Sequence, residues 1–402
     1  MNRKQFTILF VVGLVVGGLG LYLARKDSSS WKSAGEGMGA KVAADLAVND
    51  VAEIVIKTDK TSLVLMKTNE IWTVSDRNHY PANFSDIKEF LSKVLELKAV
   101  QTEEIGESQM QRLELLEPEK GVGSGTRVEL KSKDGKAIKS ILLGKKHMKK
   151  GGGGSPMGGG EEGWPDGRWL RVLGGAKAGQ ALLVNETFSQ IEPKSDQWLN
   201  KDFFKVEKIK SLSVTHPEAT NSWKITRETE TGEMTLVDAQ GEEKLDASKI
   251  YSQANAFSSA SFNDVLTGEL KPEQTGLDKP VVVKVETFDH FVYAIKVGKG
   301  SGDDTHHLTV HVDGQFPLQR EAGKDEKPED KEKLDKEFKE RTDKLKEKLG
   351  KEKEFEKWTY TTSKWTVEPV LKVRKDLLAE KKDPAADSAT KPDGAPPLPE
   401  IK

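Results

Sequence analysis

The chain has 402 residues, a length that fits one to three domains. Its 63 Lys and Arg residues nearly balance 65 Asp and Glu residues, for a formal net charge of −2, so we expect no nucleic-acid partner. Cysteine is absent, which excludes disulfides, thiol catalysis and Cys-ligated zinc.

The run from Phe6 to Leu23 contains no charged residue. At about 1.5 Å per residue it would span roughly 27 Å, close to the hydrocarbon core of a bilayer. Arg25 and Lys26 close the run without a small-residue cleavage site, so we predict an uncleaved membrane anchor (1–26) rather than a signal peptide. The short head before the run predicts that the bulk of the chain is extracytoplasmic.

Within that run, Gly13 and Gly17 have the small-xxx-small spacing that lets two membrane helices approach closely. We therefore consider self-association through these glycines, although helix flexibility explains the pattern equally well.

A polar linker (27–50) leads into two similar units, predicted at 51–206 and 207–378, and a Pro/Ala-rich tail (379–402) has the composition of a disordered segment. Each unit opens with short alternating strands such as "AEIVIK" and "SLVLMK" in the first and "SWKITRE" in the second.

One amphipathic helix follows in each unit. In the first unit the spacing predicts a helix over Ser85 to Lys98 with Ser85 as its N-cap, and in the second it predicts one beginning at Asp246. Strands that pair locally indicate antiparallel sheets. The predicted fold class is α+β: an N-terminal transmembrane helix, then two tandem copies of an antiparallel-sheet-plus-helix unit.

The following hairpins align without gaps, which places Gly144 opposite Gly298. The two units also end alike, because "SDQWLNKDFFKVE" resembles "TSKWTVEPVLKVR", and this aligns Trp198 with Trp365. We predict that Trp72, Trp198, Trp223 and Trp365 are core residues.

A glycine-rich segment follows Gly144: "GKKHMKKGGGGSPMGGGEEGWPDGRW". Its lysines precede the glycines and no helix follows them, which argues against a phosphate loop. Because the second unit has only "KGSGDDT" at this point, we interpret the segment as a lengthened hairpin loop, and Trp164–Gly167 as a turn.

The second unit carries a charged insertion (321–357) with a helix predicted from Pro328 to Gly350. Its apolar residues form one narrow seam: Leu334, Phe338, Leu345 and Leu349. The helix either lies on its own unit or projects to dock with a partner; the projecting arrangement is the one we expect.

Reactive residues are sparse. His306, His307 and His311 in "DDTHHLTVH" could hold a metal with a neighbouring carboxylate, but solvated strand histidines explain the pattern better. The adjacent pairs Glu103-Glu104 and Glu161-Glu162 are read as solvent-facing. We assign no catalytic, cofactor-binding or metal-binding residue, and no cofactor. Trp164 is the one tryptophan that could stack on a sugar or a partner.

The repeated pattern resembles a bacterial family known as domain of unknown function 4340. The resemblance rests on the opening "IVIK…LVLMK…IW", the "YPANFSDIKEFLSKVLELK" helix, the hairpin ends "LLGKK" and "KVGKG", and the Trp-containing close. It implies tandem modules behind a single anchor in the bacterial inner membrane, with a periplasmic bulk, often associated with ABC-type transport systems of the gliding-motility kind. The glycine-rich loop and the charged helix depart from that pattern.

These features favour a non-enzymatic, membrane-anchored module that binds a protein partner, with transporter subunits as candidates. The alternative is an extracytoplasmic ligand- or glycan-binding protein that uses Trp164 and a cleft between the units. A hydrolase of unknown type is the third hypothesis.

Overall fold

The computed structural model describes residues 39–149, 163–174, 178–241, 243–268, 270–300, 302, 304–323 and 326–379. The chain divides after Asn200 into two compact units, here called unit 1 and unit 2. The predicted anchor, the first half of the linker, the glycine run and most of the C-terminal tail lie outside the described residues.

Unit 1 is built on a nine-stranded sheet in which every pair of neighbouring strands is antiparallel, in the order β4-β3-β2-β1-β6-β7-β8-β9-β5. Its strands are β1 Glu53–Lys57, β2 Ser62–Thr68, β3 Ile71–Val74, β4 Tyr80–Pro81, β5 Ala99–Glu104, β6 Thr126–Lys131, β7 Ala137–Lys149, β8 Trp164–Leu173 and β9 Gln180–Val184. Its helices are α1 Phe84–Glu96 and α2 Glu107–Arg112, with 3-10 turns at Val48–Asp50, Ser75–Arg77, Pro118–Lys120 and Ser195–Trp198.

Alternation along the strands decides which face of this sheet is buried. Ile54 and Ile56 on β1 are fully buried while their neighbours are half-buried, as expected where one face of a sheet packs on the core. Helix α1 covers that face with Ile87, Phe90 and other apolar side chains at helical spacing. Its N-cap is Asn83, whose side chain accepts a hydrogen bond from the backbone N–H of Ser85 at 3.1 Å; the prediction of Ser85 as N-cap is wrong.

Unit 2 repeats the arrangement with an eight-stranded antiparallel sheet, ordered β12-β11-β10-β14-β15-β16-β17-β13. Its strands are β10 Ile209–Thr215, β11 Trp223–Thr226, β12 Thr235–Leu236, β13 Asp264–Val265, β14 Val281–Thr287, β15 Phe291–Lys299, β16 Thr305–Gly314 and β17 Tyr360–Ser363. Its helices are α3 Ala247–Ala254, α4 Pro272–Thr275, α5 Lys331–Lys353 and α6 Lys364–Leu371, with 3-10 turns at Ala219–Asn221, Glu354–Lys357 and Arg374–Leu377.

Equivalent strands follow the same order in the two sheets, except that β4 has no equivalent among the described residues of unit 2. The hairpins are not gap-free equivalents. In unit 1 the pairing of β6 with β7 shifts by one residue between Leu130 and Lys131, whereas β14 and β15 pair without a shift. The shift is a β-bulge, which adds one residue to β7. When β7 is aligned with β15 as predicted, the alignment of β6 with β14 is therefore one residue out of register.

The glycines near the ends of the two long hairpins lie under a crossing segment of chain. A Cβ on Gly144 would come within 2.4 Å of the Leu113 carbonyl oxygen, and a Cβ on Gly298 within 2.2 Å of the Thr275 carbonyl oxygen. Real Cβ atoms do not approach that closely, so glycine is required where the backbones meet. The predicted equivalence of these glycines is confirmed, and close approach is its physical reason.

Each unit closes with the same backbone pattern, here called the closing strap. In unit 1 the backbone N–H of Asn83 donates to the Trp198 carbonyl at 2.8 Å, and that of Asn200 to the Pro81 carbonyl at 2.9 Å. In unit 2 the N–H of Asp246 donates to the Leu377 carbonyl at 2.9 Å. In the closing strap, the residue of unit 2 that is equivalent to Trp198 is therefore Leu377 and not Trp365.

Helix α5, the charged insertion, packs on unit 2. Glu352 is only 5 % exposed and accepts hydrogen bonds from the Lys205 backbone N–H at 3.1 Å and the Tyr293 hydroxyl at 2.8 Å. Arg341 forms an ion pair with Asp289. The expectation that this helix projects from the unit is therefore wrong, because its C-terminal half is fixed to the sheet by buried polar contacts.

The predicted α+β fold class is wrong. The described residues form two antiparallel sheets with few helices, because most of the periodic apolar positions belong to strands. The predicted transmembrane helix, Phe6 to Leu23, lies outside the described residues. Across the ranges that are described, no helix combines the length and the apolar character needed to cross a bilayer.

Candidate binding clefts

Unit 1 has a cleft of about 530 Å³ between the first turns of α1 and the chain that leads into the closing strap. We call it the acidic cleft, because its lining includes three carboxylates and one lysine: Asp86, Glu89, Ser189, Gln190, Glu192, Lys194, Gln197 and Trp198.

The acidic side chains of this cleft differ in their surroundings. Burial raises the pKa of Asp86, and the nearby carboxylate of Glu89 raises it further, against a hydrogen bond that Asn83 donates at 2.7 Å. Glu192 instead pairs with Lys194 at 2.6 Å, and this hydrogen bond lowers its pKa. With three carboxylates and one lysine in its lining, the cleft has a net negative formal charge.

Unit 2 has a cleft of about 690 Å³ at the equivalent place, beside the first turns of α3 and its own closing strap. We call it the basic cleft, since three lysines and one aspartate are among its lining residues: Ser248, Lys249, Ser252, Gln253, Lys372, Lys375, Asp376, Leu377, Leu378 and Ala379.

Internal contacts shape the basic cleft. The Lys249 ammonium donates to the Leu378 carbonyl at 3.1 Å and lies 3.7 Å from Asp246. Gln253 is buried and donates to the Pro369 carbonyl at 3.1 Å. Lys372 and Lys375 are exposed. The same closure of the fold thus carries opposite charge in the two units.

The histidines of β16 bind backbone carbonyls. His306 Nδ1 is 3.3 Å from the Gly298 carbonyl oxygen, and burial lowers its pKa. His307 Nδ1 lies 3.1 Å from the Thr275 oxygen and 3.0 Å from the Lys299 oxygen. Arg168 takes the place of His306 in unit 1, because its Nε–H donates a hydrogen bond to the Gly144 carbonyl oxygen at 2.7 Å.

His311 stands apart from these two histidines, exposed on β16, and its Nδ1 is 2.9 Å from the carboxylate of Glu356. Among the residues that the structure describes, no three His, Asp or Glu side chains gather so as to hold a metal ion. The three histidines of the "DDTHHLTVH" motif are therefore not brought together around one point.

Three of the four tryptophans predicted to be core are buried: Trp72, Trp198 and Trp223. Trp365 is 60 % exposed on α6, so its assignment to the core is wrong. Trp164 is 50 % exposed and begins β8 instead of standing in a turn. The sequence similarity between "SDQW" (195–198) and "TSKW" (362–365) was misleading. The hydrogen bonds of the closing strap make residues 374–377 the structural equivalent of "SDQW".

Sequence reasoning missed both clefts. Their lining residues come from the start of one helix and from a segment more than one hundred positions further along the chain, so no short motif reports them. The available signal was the pair of N-cap residues, Asn83 and Asp246, which mark equivalent helix starts.

The family described as a domain of unknown function (DUF4340) matches residues 174–280, from the end of unit 1 into the first part of unit 2. The match includes the strap segment of the acidic cleft and the helix side of the basic cleft. A domain of unknown function is therefore present in this chain. No curated protein and no solved structure matches the chain.

Proposed function

We propose that this protein is a non-enzymatic binding module of the bacterial cell envelope, and that its clefts contact a protein partner. The observation that carries the proposal is the pair of equivalent clefts with opposite charge. A duplicated scaffold whose equivalent surfaces differ in charge is suited to two different regions of a partner, because charge complementarity selects the partner and its orientation.

The polar groups around the clefts support a binding role over a catalytic one. Lys249 binds a backbone carbonyl and Glu192 binds Lys194, so these groups stabilise the walls of the clefts. His306 and His307 are likewise held by backbone carbonyls.

Placement at the bacterial inner membrane, with the bulk of the chain in the periplasm, is part of the proposal. It rests on the charge-free run Phe6 to Leu23 and on the family resemblance. The same resemblance suggests subunits of an ABC-type transport system as the partner.

Charge reversal tests the proposal. Full-length tagged protein is purified from detergent-solubilised membranes, and the proteins that accompany it are quantified by mass spectrometry. The acidic-cleft variant carries Glu89→Lys and Glu192→Lys, and the basic-cleft variant carries Lys372→Glu and Lys375→Glu.

We expect each reversal to reduce recovery of the same partner by about tenfold or more. The matched control carries Glu103→Lys and Glu104→Lys, which reverse two exposed charges on β5 outside both clefts, and it should retain the partner. Equal recovery with all variants would reject a protein-binding role for the clefts, and specific retention on cell-wall glycans would favour the glycan-binding alternative.

A further inference from the structure

Strands β7 and β8 continue past the rest of the sheet of unit 1. The neighbouring strand β6 begins at Thr126, opposite Leu143, and β9 ends at Val184, opposite Arg168. Beyond these points β7 and β8 pair only with each other, through Lys146 to Lys149 and Trp164 to Gly167. We call this two-stranded extension the ribbon.

The ribbon presents large apolar side chains among lysines. Met148 is 41 % exposed and Trp164 is 50 % exposed. Lys145 and Lys146 are exposed beside them, and Lys149 pairs across the ribbon with Trp164. Its aspartate, Asp166, is engaged by His147 at 2.7 Å. Tryptophan and lysine together are typical of surfaces that contact the interface of an anionic membrane.

The start of the described chain lies at the same end of the sheet. Ala99 on β5 is opposite Val184, which is in turn opposite Arg168 at the base of the ribbon. The Gly39 backbone N–H donates to the Ala99 carbonyl at 3.0 Å. The chain that connects unit 1 to the run Phe6 to Leu23 therefore enters unit 1 at the ribbon end.

The length of that connection matters. Residues 24–38 separate the charge-free run from the described chain, and a fully extended stretch of this length reaches at most about 50 Å. Such a tether keeps the ribbon at a high effective concentration near the membrane, so a weak contact becomes populated.

In unit 2, the described residues of the equivalent hairpin form no such extension. Strand β15 ends at Lys299, opposite His306, one residue past Gly298, whereas β7 continues to Lys149, five residues past the equivalent Gly144. The additional length in unit 1 carries Lys146, Lys149 and the exposed Met148.

We propose that the end of the ribbon contacts an anionic phospholipid surface, with Met148 reaching the interface from one face of the ribbon, Trp164 from the other, and the lysines near lipid phosphates. This inference rests on the proposed membrane placement. It assigns unit 1 an orientation in which the ribbon end faces the bilayer.

The absence of cysteine from the sequence permits site-specific labelling. Full-length Met148→Cys, labelled with an environment-sensitive fluorophore, is reconstituted into vesicles of phosphatidylcholine alone or mixed with phosphatidylglycerol. Lys299→Cys, at the short hairpin end of unit 2, is the matched control. Flotation of the vesicles reports membrane attachment, and quenching by spin-labelled lipids reports contact of the label with the bilayer.

We expect the label at residue 148 to gain fluorescence about twofold and to be quenched by lipid only in anionic vesicles, with the effect lost in about 0.5 M salt. The label at residue 299 should remain in water. Replacing Lys145, Lys146 and Lys149 by Glu should reduce lipid contact about tenfold while flotation persists.

Two results would overturn the inference. One is a floating protein whose label at residue 148 stays in water on both kinds of vesicle. The other is a label that changes only when solubilised membrane proteins are added, which would identify a protein as the occupant. Failure of the membrane anchor gives a different result, since the protein then does not float with phosphatidylcholine vesicles.

Discussion

Unit 1 and unit 2 close their sheets with the same backbone hydrogen bonds but differ in what surrounds that closure. In unit 1 the strap presents buried Trp198 beside carboxylates; in unit 2 it presents buried Leu377 beside lysines. The backbone pattern can persist while side chains change, because main-chain groups need partners whatever side chains they carry. The two units thus share a backbone frame and differ in the side chains that surround its closure.

The largest expected effect tests which residues are equivalent. Trp198→Ala should destabilise unit 1 by about 3–5 kcal/mol, and Leu377→Ala should destabilise unit 2 by about 2–5 kcal/mol, because each removes a buried side chain from the closing strap. Trp365→Ala should cost less than about 1 kcal/mol, since that side chain is mostly exposed.

Urea unfolding monitored by hydrogen exchange and mass spectrometry would follow each unit separately. A large loss from Trp365→Ala with a small loss from Leu377→Ala would restore the alignment suggested by the sequence.

The second prediction concerns the glycines under the crossing segments. Gly144→Ala and Gly298→Ala should each destabilise their own unit by about 1–3 kcal/mol, because a Cβ would overlap the carbonyl oxygen above it. The measurement is the urea midpoint of each unit.

Gly179→Ala is the matched control in unit 1, because a Cβ there meets no atom within 4 Å. If Gly144→Ala were tolerated as well as this control while Gly298→Ala was not, the crossing would not be a shared feature of the two units.

The equivalence of these glycines was predictable from the sequence because both stand at the end of a patterned hairpin. The strands were predictable for the same reason: alternation is local, and Ile54 and Ile56 show it plainly. Helix α1 was found from its periodicity, apart from its N-cap.

Other features depend on distant contacts and could not be read from local pattern. The clefts join residues far apart in the chain, and the attachment of α5 depends on Glu352 meeting Lys205 and Tyr293. A glutamate between Lys351 and Lys353 in a highly charged helix does not by itself indicate burial. The fold class was wrong because it gave the one clear helix of each unit the same weight as the strands, whereas two antiparallel sheets dominate the described residues.

The third prediction addresses α5, the charged helix of unit 2. Glu352→Ala should destabilise unit 2 by about 1–3 kcal/mol, because it removes the acceptor of the buried Tyr293 hydroxyl and of the Lys205 N–H. Glu352→Gln should cost less at neutral pH, because an amide oxygen can still accept from Lys205. Urea unfolding of both variants measures the difference, and equal losses would mean that the carboxylate contributes through its charge.

The fourth prediction is a pH dependence. Burial raises the pKa of Glu352 above its ordinary value of about 4.5, against hydrogen bonds from Tyr293 and Lys205 and the charge of Lys348, while Glu207 raises it further. Because its pKa is raised in the folded state, Glu352 contributes most to the free energy of unfolding when its carboxyl group is protonated. This contribution is fully present below about pH 4.5 and is lost as the pH rises through the folded-state pKa.

Glu352→Gln cannot titrate, so its stability relative to the original protein should improve as the pH rises from about 4.5 to neutrality. Using the difference between the two proteins cancels carboxylates whose pKa is lowered, such as Asp289, where burial is outweighed by Arg341 and Lys208. A relative stability that is flat or falls with rising pH would show that Glu352 is not desolvated.

The smallest expected effect separates the two faces of α5. Its outward face carries the ion pairs Lys333–Glu337, Lys336–Glu340 and Lys339–Asp343, at 3.9, 4.0 and 3.4 Å, and all six side chains are more than half exposed. Water and salt screen such pairs, which contribute about 0.2–0.5 kcal/mol each. Replacing the three lysines by alanine should therefore change the stability of unit 2 by less than about 1 kcal/mol, since alanine also favours the helix.

Lys348 provides the contrast: it contacts the Lys205 carbonyl at 3.0 Å and Glu207 at 3.1 Å, so Lys348→Ala alone should cost as much as the triple change or more. Unfolding at low and high salt measures both variants. If the triple variant were the less stable one and its loss disappeared in high salt, the outward charges, rather than the buried end at Glu352, would hold the helix in place.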